Sequence, residues 1–339
     1  MQPLLDWYDA GHRDLPWRTL PTPYRVWVSE IMLQQTRVEA VRGYFARWME
    51  ALPDIPALAA ADEAVYTKLW EGLGYYSRVR NLHRAAVLLC EQYGGELPAD
   101  CDKLLSLPGV GEYTAGAVAS IAFGLPVPAV DGNVLRVAAR LGSDFTPITD
   151  TKFKKQTRER FAALMPSDRP GDLNQALMEL GATVCVPNGA PHCGDCPIQH
   201  LCEGFHRGNA AVLPLRAAKK ARRIENRTVL LVRCGKLVGL RQRPKKGLLA
   251  GLWELPSLDG HLTPDELRAA LTEMGWSVRK LLSLRPAKHI FTHVEWHMNG
   301  VYVELDEPAP ALTFVTPAAL RADYALPSAF RSFVSVLED

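Results

Sequence analysis

The sequence contains no run of eighteen apolar residues, which leaves no candidate for an ordinary membrane-spanning helix. Its first residues, Met1 to Asp14, are interrupted by charge and proline where a secretory signal needs a continuous apolar segment. A soluble, cytoplasmic protein with no membrane partner is therefore expected. A large excess of one charge is missing too. The 39 Lys and Arg stand against 37 Asp and Glu, a formal net charge of +2, so the overall balance does not by itself declare a nucleic-acid partner. Internal repeats and low-complexity tracts are absent. Disulfide spacing is absent as well: of seven cysteines, Cys90, Cys101 and Cys234 are scattered, while Cys185, Cys193, Cys196 and Cys202 crowd into one segment. The scattered three read as inert core residues, and the local four as a metal or cluster site.

What is present exceeds a single core: 339 residues, 47% of them hydrophobic, suggest two domains. From Met1 to about Phe205 apolar residues recur at helical spacing, punctuated at Pro53, Gly94-Gly95, Pro108-Gly109, Gly132 and Pro170-Gly171. Ala85 to Cys90 and Thr114 to Ala122 are the clearest buried-helix segments. The texture then changes. Thr228 to Arg233 (TVLLVR) and Val301 to Leu305 (VYVEL) suit strands, and Thr263 to Met274 has an N-cap threonine followed by proline. The expected organisation is an all-α domain over residues 1–205, a basic linker over 206–223 and an α+β domain over 224–339. Arg216, Lys219, Lys220, Arg222, Arg223 and Arg227 face one acid, Glu225, with Arg241, Arg243, Lys245 and Lys246 soon after. This strip is either a solvated linker or a phosphate contact.

Three patterns carry chemistry. The spacing Cys185-x7-Cys193-x2-Cys196-x5-Cys202 lets four thiolates converge; having only one close pair, it favours a cluster over structural zinc, which stays open as the alternative. Residues Leu104 to Ala119 place a Pro-Gly-x-Gly turn between two helices, with Gly109 and Gly111 allowing close backbone approach and a helix N-terminus suited to a phosphate. About twenty residues on, Asp131 stands in VDGNV before the helix Val134 to Leu141, where an aspartate is either an N-cap or a functional acid.

The order LPGVG, VDGNV and the four-cysteine loop resembles the helix-hairpin-helix glycosylase superfamily. More closely, SEIMLQQT (Ser29 to Thr36), LPWR (Leu15 to Arg18), GLGYYSR (Gly72 to Arg78) and NQALMELGA (Asn174 to Ala182) resemble the MutY family of adenine DNA glycosylases across the whole first domain. The first cysteine gap is one residue longer than that family's usual spacing. The second domain is similar to the family's MutT-like C-terminal domain. A working Nudix hydrolase is not expected from it: RAALTEMG (Arg268 to Gly275) keeps Arg268, Glu273 and Gly275 but has Ala269 and Thr272 in place of two metal-binding glutamates.

The resemblance implies a fold of two parts, an all-α helix-hairpin-helix glycosylase domain with a 4Fe-4S loop held by the four cysteines, and an α+β MutT/Nudix-like domain. It implies removal of adenine mispaired with 8-oxoguanine or guanine in double-stranded DNA, by a monomer. Glu30 is then the general acid, Asp131 the carboxylate that stabilises the cationic sugar, Asn133 its orienting partner and Tyr113 a neighbour of the sugar. Related lyases carry a nucleophilic lysine where this chain has Tyr113, so a hydrolytic, monofunctional enzyme is expected. Trp17, Arg18 and Gln175 would line the adenine pocket, and Gln35, Thr36 and Tyr75 would meet the opened duplex. Phe291, Thr292 and His293, in HIFTH, would read 8-oxoguanine, Thr292 standing where the family usually has serine. Without the resemblance, Trp17 and Tyr75 read as packing, Arg18 as a surface charge, Gln35 as a solvated helix end and HIFTH as the close of a strand.

Overall fold

The computed structural model describes residues 1–215 and 221–338; Arg216, Lys219 and Lys220 of the basic strip lie outside them. The chain forms two compact units, Met1–Ala61 with Arg80–Ala218, and Asp62–Val79 with Lys219–Asp339.

The described part of the first unit is helical throughout, and its helices begin where local chemistry provides caps. Thr22 accepts from Arg25 N ahead of Pro23 to start the helix Pro23–Leu33, and Asp150 does the same for Thr151–Ala162. The helix Glu112–Phe123 (EYTAGAVASIAF) is buried from Thr114 to Ser120. Its small side chains let neighbours come close: a Cβ on Gly116 would sit 2.5 Å from the Pro128 carbonyl oxygen. Trp27, Trp48 and Phe45 fill the core beside the helix Val38–Ala51.

The packing limits differ from those expected at residues 205 and 224. Ala210 and Leu213, placed in the expected linker, are buried. Arg140 Nε donates to Leu213 O at 2.9 Å and Ile148 N to Leu215 O at 3.3 Å, so the helical unit continues beyond the cysteine loop. Conversely, the helical stretch Asp62–Val79 groups with the second unit: Lys68 Nζ donates to Tyr324 O at 3.1 Å and Leu326 N to Glu71 Oε1 at 2.8 Å. Composition marks where the texture changes, whereas apolar burial decides what packs together.

The second unit is built on a sheet of order β3-β2-β1-β6-β5, with β4 against β1 and β7 against β2. The strands are β1 (Arg223–Cys234), β2 (Leu237–Gln242), β3 (Trp253–Glu254), β4 (Ser257–Asp259), β5 (Val278–Ile290), β6 (Val294–Leu305) and β7 (Thr313–Val315). Strands β1 and β6 run parallel from Arg223↔Val294 to Cys234↔Leu305, and the other pairs are antiparallel. The unbroken apolar run of β1 has a simple cause. Val229 and Leu231 enter a core with Trp296, Phe330 and Phe333, while Leu230 and Val232 enter another with Leu267 and Leu271 of the helix Pro264–Glu273, so both faces are covered. That helix starts with a full capping box between Thr263 and Glu266.

Candidate active site

The first unit contains a cavity of about 650 Å³. It gathers Trp17, Arg18, Glu30, Gln35, Thr36, Gly109, Gly111, Tyr113, Asp131, Asn133 and Gln175, and so brings together every candidate that sequence analysis placed before the cysteine loop except Tyr75.

Glu30 lies in the last turns of the helix Pro23–Leu33 and is 6% exposed. Burial, the largest influence, and Asp131 nearby push its carboxyl up to about 7, against the opposing effects of a hydrogen bond from Tyr113 Oη and the charge of Arg18. Asp131 is an N-cap that also lines the cavity. As N-cap of Gly132–Leu141 it accepts from Val134 N at 2.8 Å, and as a wall of the cavity it accepts from Asn133 Nδ2 at 2.7 Å. Burial raises this carboxyl too, but the Val134 and Asn133 donors and the Arg136 charge pull the other way. With more hydrogen bonds to its charged form, Asp131 ionises more readily than Glu30. One cavity thus holds two buried carboxyls, of which Asp131 has more donors to its charged form. Tyr113 Oη also lies 3.7 Å from Met178 Sδ, and burial raises its hydroxyl well above the usual range, so it donates rather than ionises.

Arg18 is no free surface charge: its side chain is 12% exposed and Nε donates to Gln175 Oε1 at 3.2 Å. Trp17 packs edge-on to Phe45 at 5.5 Å and also lines the cavity. Sequence analysis missed Arg13 and Glu179, which form a partly buried ion-pair network with Arg18 at the cavity wall. The available signal was spacing, since Gln175 and Glu179 are four residues apart on one helix. Gln35 is not a plain helix end. It has φ of 60° beyond the end of its helix, a left-handed backbone that non-glycine residues seldom adopt. Gly109 (φ 78°) makes the hairpin turn, with Gly111 as N-cap of Glu112–Phe123; a Cβ on Gly109 would meet Asn81 Cβ at 2.6 Å.

The four clustered cysteines line one small, largely apolar space of about 30 Å³, together with Val137, Leu141, Leu180 and Ile198. Arg140 Nη1 donates to Cys185 Sγ at 3.2 Å and to Val186 O at 2.9 Å. Arg136 joins this loop to the cavity: its Nε donates to Cys185 O at 2.9 Å and its Nη2 to Asn133 Oδ1 at 2.8 Å. Among the described residues no three His, Cys, Asp or Glu side chains are grouped so as to hold a metal ion. The thiols surround a space instead of meeting at a point.

In the second unit Phe291, Thr292 and His293 form the tip between β5 and β6. Phe291 stands edge-on to Trp296 at 4.9 Å, and its carbonyl accepts from Arg222 Nε at 3.1 Å. Tyr75, which also has a left-handed φ of 48°, places its hydroxyl 2.6 Å from Thr292 Oγ1. Two separate motifs of the sequence therefore meet here. The basic residues near β1 are largely engaged within the unit: Arg227 and Arg223 pair with Glu225, and Arg241 and Arg243 with Glu254.

A helical unit with a hairpin turn beside a two-carboxyl cavity, joined to a sheet unit, defines a class. Residues 28–165 match the HhH-GPD superfamily of base excision DNA repair proteins, and residues 228–336 match the NUDIX domain. The chain is 40% identical to the adenine DNA glycosylase of Mus musculus, over 91% of this chain and 71% of that protein, and 36% identical to that of Homo sapiens, over 93% and 68%. Among solved structures, a thermostable thymine-DNA glycosylase aligns with TM-score 0.54 and 27% identity, and an endonuclease III in a non-covalent DNA complex with 0.52 and 26%; each alignment covers 61% of this chain and 94% of the other. The chain belongs to the adenine DNA glycosylase family.

Proposed function

We propose that the protein is a monofunctional glycosylase that hydrolyses the N-glycosidic bond of adenine mispaired with 8-oxoguanine or guanine in duplex DNA. The observation that carries this reading is the buried carboxyl of Glu30, pushed up to about 7 in the cavity it shares with Asp131. Adenine leaves poorly as an anion. Glu30 delivers its proton to N7, the C1′–N9 bond breaks, and Asp131 stabilises the oxocarbenium-like sugar. Water then adds at C1′ and returns a proton to Glu30. No lysine is among the residues lining the cavity, which supports hydrolysis over lyase chemistry. Trp17, Arg18 and Gln175 hold the flipped base, Gln35, Thr36 and Tyr75 meet the opened duplex, and the Gly109–Gly111 turn meets a phosphate. Thr292, with Phe291 and His293, reads the opposite base; its contact with Tyr75 supports a shared role for the two motifs.

Cys185, Cys193, Cys196 and Cys202 would hold a 4Fe-4S cluster. Four thiols lining one apolar space, with a single close Cys-x2-Cys pair, suit a cluster bound by thiolates. When bound, the cluster staples the loop Cys185–Cys202 and supplies no redox step. The deciding assay gives purified protein three duplexes, with A opposite 8-oxoguanine, A opposite G, and thymine glycol opposite A, adding alkali afterwards. The first should react fastest, the third not at all, and strand breaks should appear only after alkali. Breaks without alkali, or thymine glycol excision, would refute the reading.

A further inference from the structure

Glu179 is 2% exposed and lies one turn beyond Gln175 on the helix Pro170–Thr183. It accepts from Arg13 Nε at 2.6 Å, Arg13 Nη2 at 3.0 Å, the Arg13 backbone N–H at 3.1 Å and Arg18 Nη2 at 2.9 Å. Arg18 is gripped on two further sides, by Arg13 O at 3.0 Å and Gln175 Oε1 at 3.2 Å. Few charged or titratable groups face Glu30. They are Arg18 from the helix Pro16–Thr19, Tyr113 from Glu112–Phe123, and Asp131 at the start of Gly132–Leu141, with Arg136 behind it through Asn133. Its own helix adds Arg25, which is turned to Pro16 O and the Phe45 ring, and Tyr24, whose hydroxyl donates to Leu52 O. Arg18 is therefore the cation with most influence on Glu30, and Glu179 is the acid that holds it.

We infer that Glu179 is a positioning residue for adenine removal: it fixes the Arg18 guanidinium in the cavity wall and offsets its charge, so that Glu30 keeps the proton it delivers. The inference rests on Glu30 being the general acid. An unopposed guanidinium would favour the charged form of a buried carboxyl nearby, because low-dielectric surroundings strengthen the attraction. Burial raises the Glu179 carboxyl, but the two arginines outweigh that and bring it down to about 2, so Glu179 stays charged wherever the enzyme works.

The test follows single-turnover adenine release by the full-length, cofactor-loaded protein from about pH 5.5 to about 9. Wild-type activity should fall above about pH 7, as Glu30 loses its proton. In Glu179→Gln that alkaline limb should move down by about one pH unit, an approximately tenfold loss at alkaline pH, with the acid plateau within about threefold of wild type. Glu179→Asp should restore most of it. Arg18→Gln should move the limb the opposite way, which damage to the fold would not do, and Arg18→Gln/Glu179→Gln should return it towards wild type. Should Glu179→Gln fail to fold, the upward shift in Arg18→Gln decides alone. A limb unmoved in Arg18→Gln, or a uniform loss across pH in Glu179→Gln, overturns the inference. A Glu30→Gln variant that keeps its rate instead refutes the acid itself, wherever the other limbs fall.

Discussion

At Glu30 the chemistry proposed for it and the stability of the fold make opposite demands. Above about pH 4.5 an unfolded chain ionises this carboxyl, whereas the fold retains the proton to about 7. The native state thus binds the extra proton, and stability falls as pH rises through that window. Glu30→Gln removes the conflict. It should cost at least about a hundredfold in single-turnover adenine release with mismatch binding retained, while stabilising the protein at pH 7 by about 1 to 3 kcal/mol in denaturant titration. Near-normal turnover would remove Glu30 from the mechanism, and a less stable variant would show that burial of the neutral acid is not a cost. Arg18 shows the limit of reading a residue alone: an arginine after LPW looks solvent-facing, and only its partners Gln175 and Glu179 put it in the cavity.

At the scale of elements, the helix Pro170–Thr183 organises the site. Asn174 anchors it to the Glu112–Phe123 side, donating to Ser120 Oγ at 2.7 Å and accepting from Ala129 N at 2.9 Å, while Gln175, Met178 and Glu179 face the cavity. At Gly181 an added Cβ would lie 2.7 Å from Asn133 Cβ and 3.3 Å from its Cα and carbonyl oxygen. Gly181→Ala must therefore displace Asn133, which orients Asp131. We expect a loss of about 1 to 3 kcal/mol in stability and a fall in turnover at temperatures where the variant remains folded; unchanged turnover in a folded variant would deny Asn133 its role. The loop Cys185–Cys202 follows the same helix. Purified protein should be brown and contain iron, and Cys196→Ser should lose soluble expression. Metal analysis finding stoichiometric zinc without iron would overturn the cluster.

For the whole molecule, the division of residues between units places the proposed chemistry in one and the proposed discrimination in the other. Glu30, Tyr113, Asp131 and the four cysteines belong to the first unit, and Thr292 with Tyr75 to the second. Truncation after Arg223 should leave adenine removal but shrink the preference for 8-oxoguanine over guanine by roughly ten- to a hundredfold, the scale of contacts to one base edge. Because Asp62–Val79 packs with the second unit, truncation also strips its partners, so Thr292→Ala in the full chain is the cleaner comparison and should reduce the preference in the same direction. Full preference in a folded truncated protein would refute the role of Thr292.

Local periodicity and motif order were sufficient to determine that a helical domain is followed by an α+β one, that Glu30 and Asp131 belong to one site, and that four cysteines gather around one space. Each of these depends on spacing along a short stretch of chain: TVLLVR in β1, Thr263 capping its helix, Asp131 capping another. Tertiary structure alone decided the Arg13–Arg18–Glu179 network, whose members lie 161 and 166 residues apart, and the meeting of Tyr75 with Thr292 across 217 residues. It also decided that the first unit extends past the cysteine loop and that Asp62–Val79 belongs with the second. The physical reason is common to all four. Charge compensation, hydrogen-bond partnership and apolar burial are properties of a place in space, and neighbours in space have no required separation in sequence.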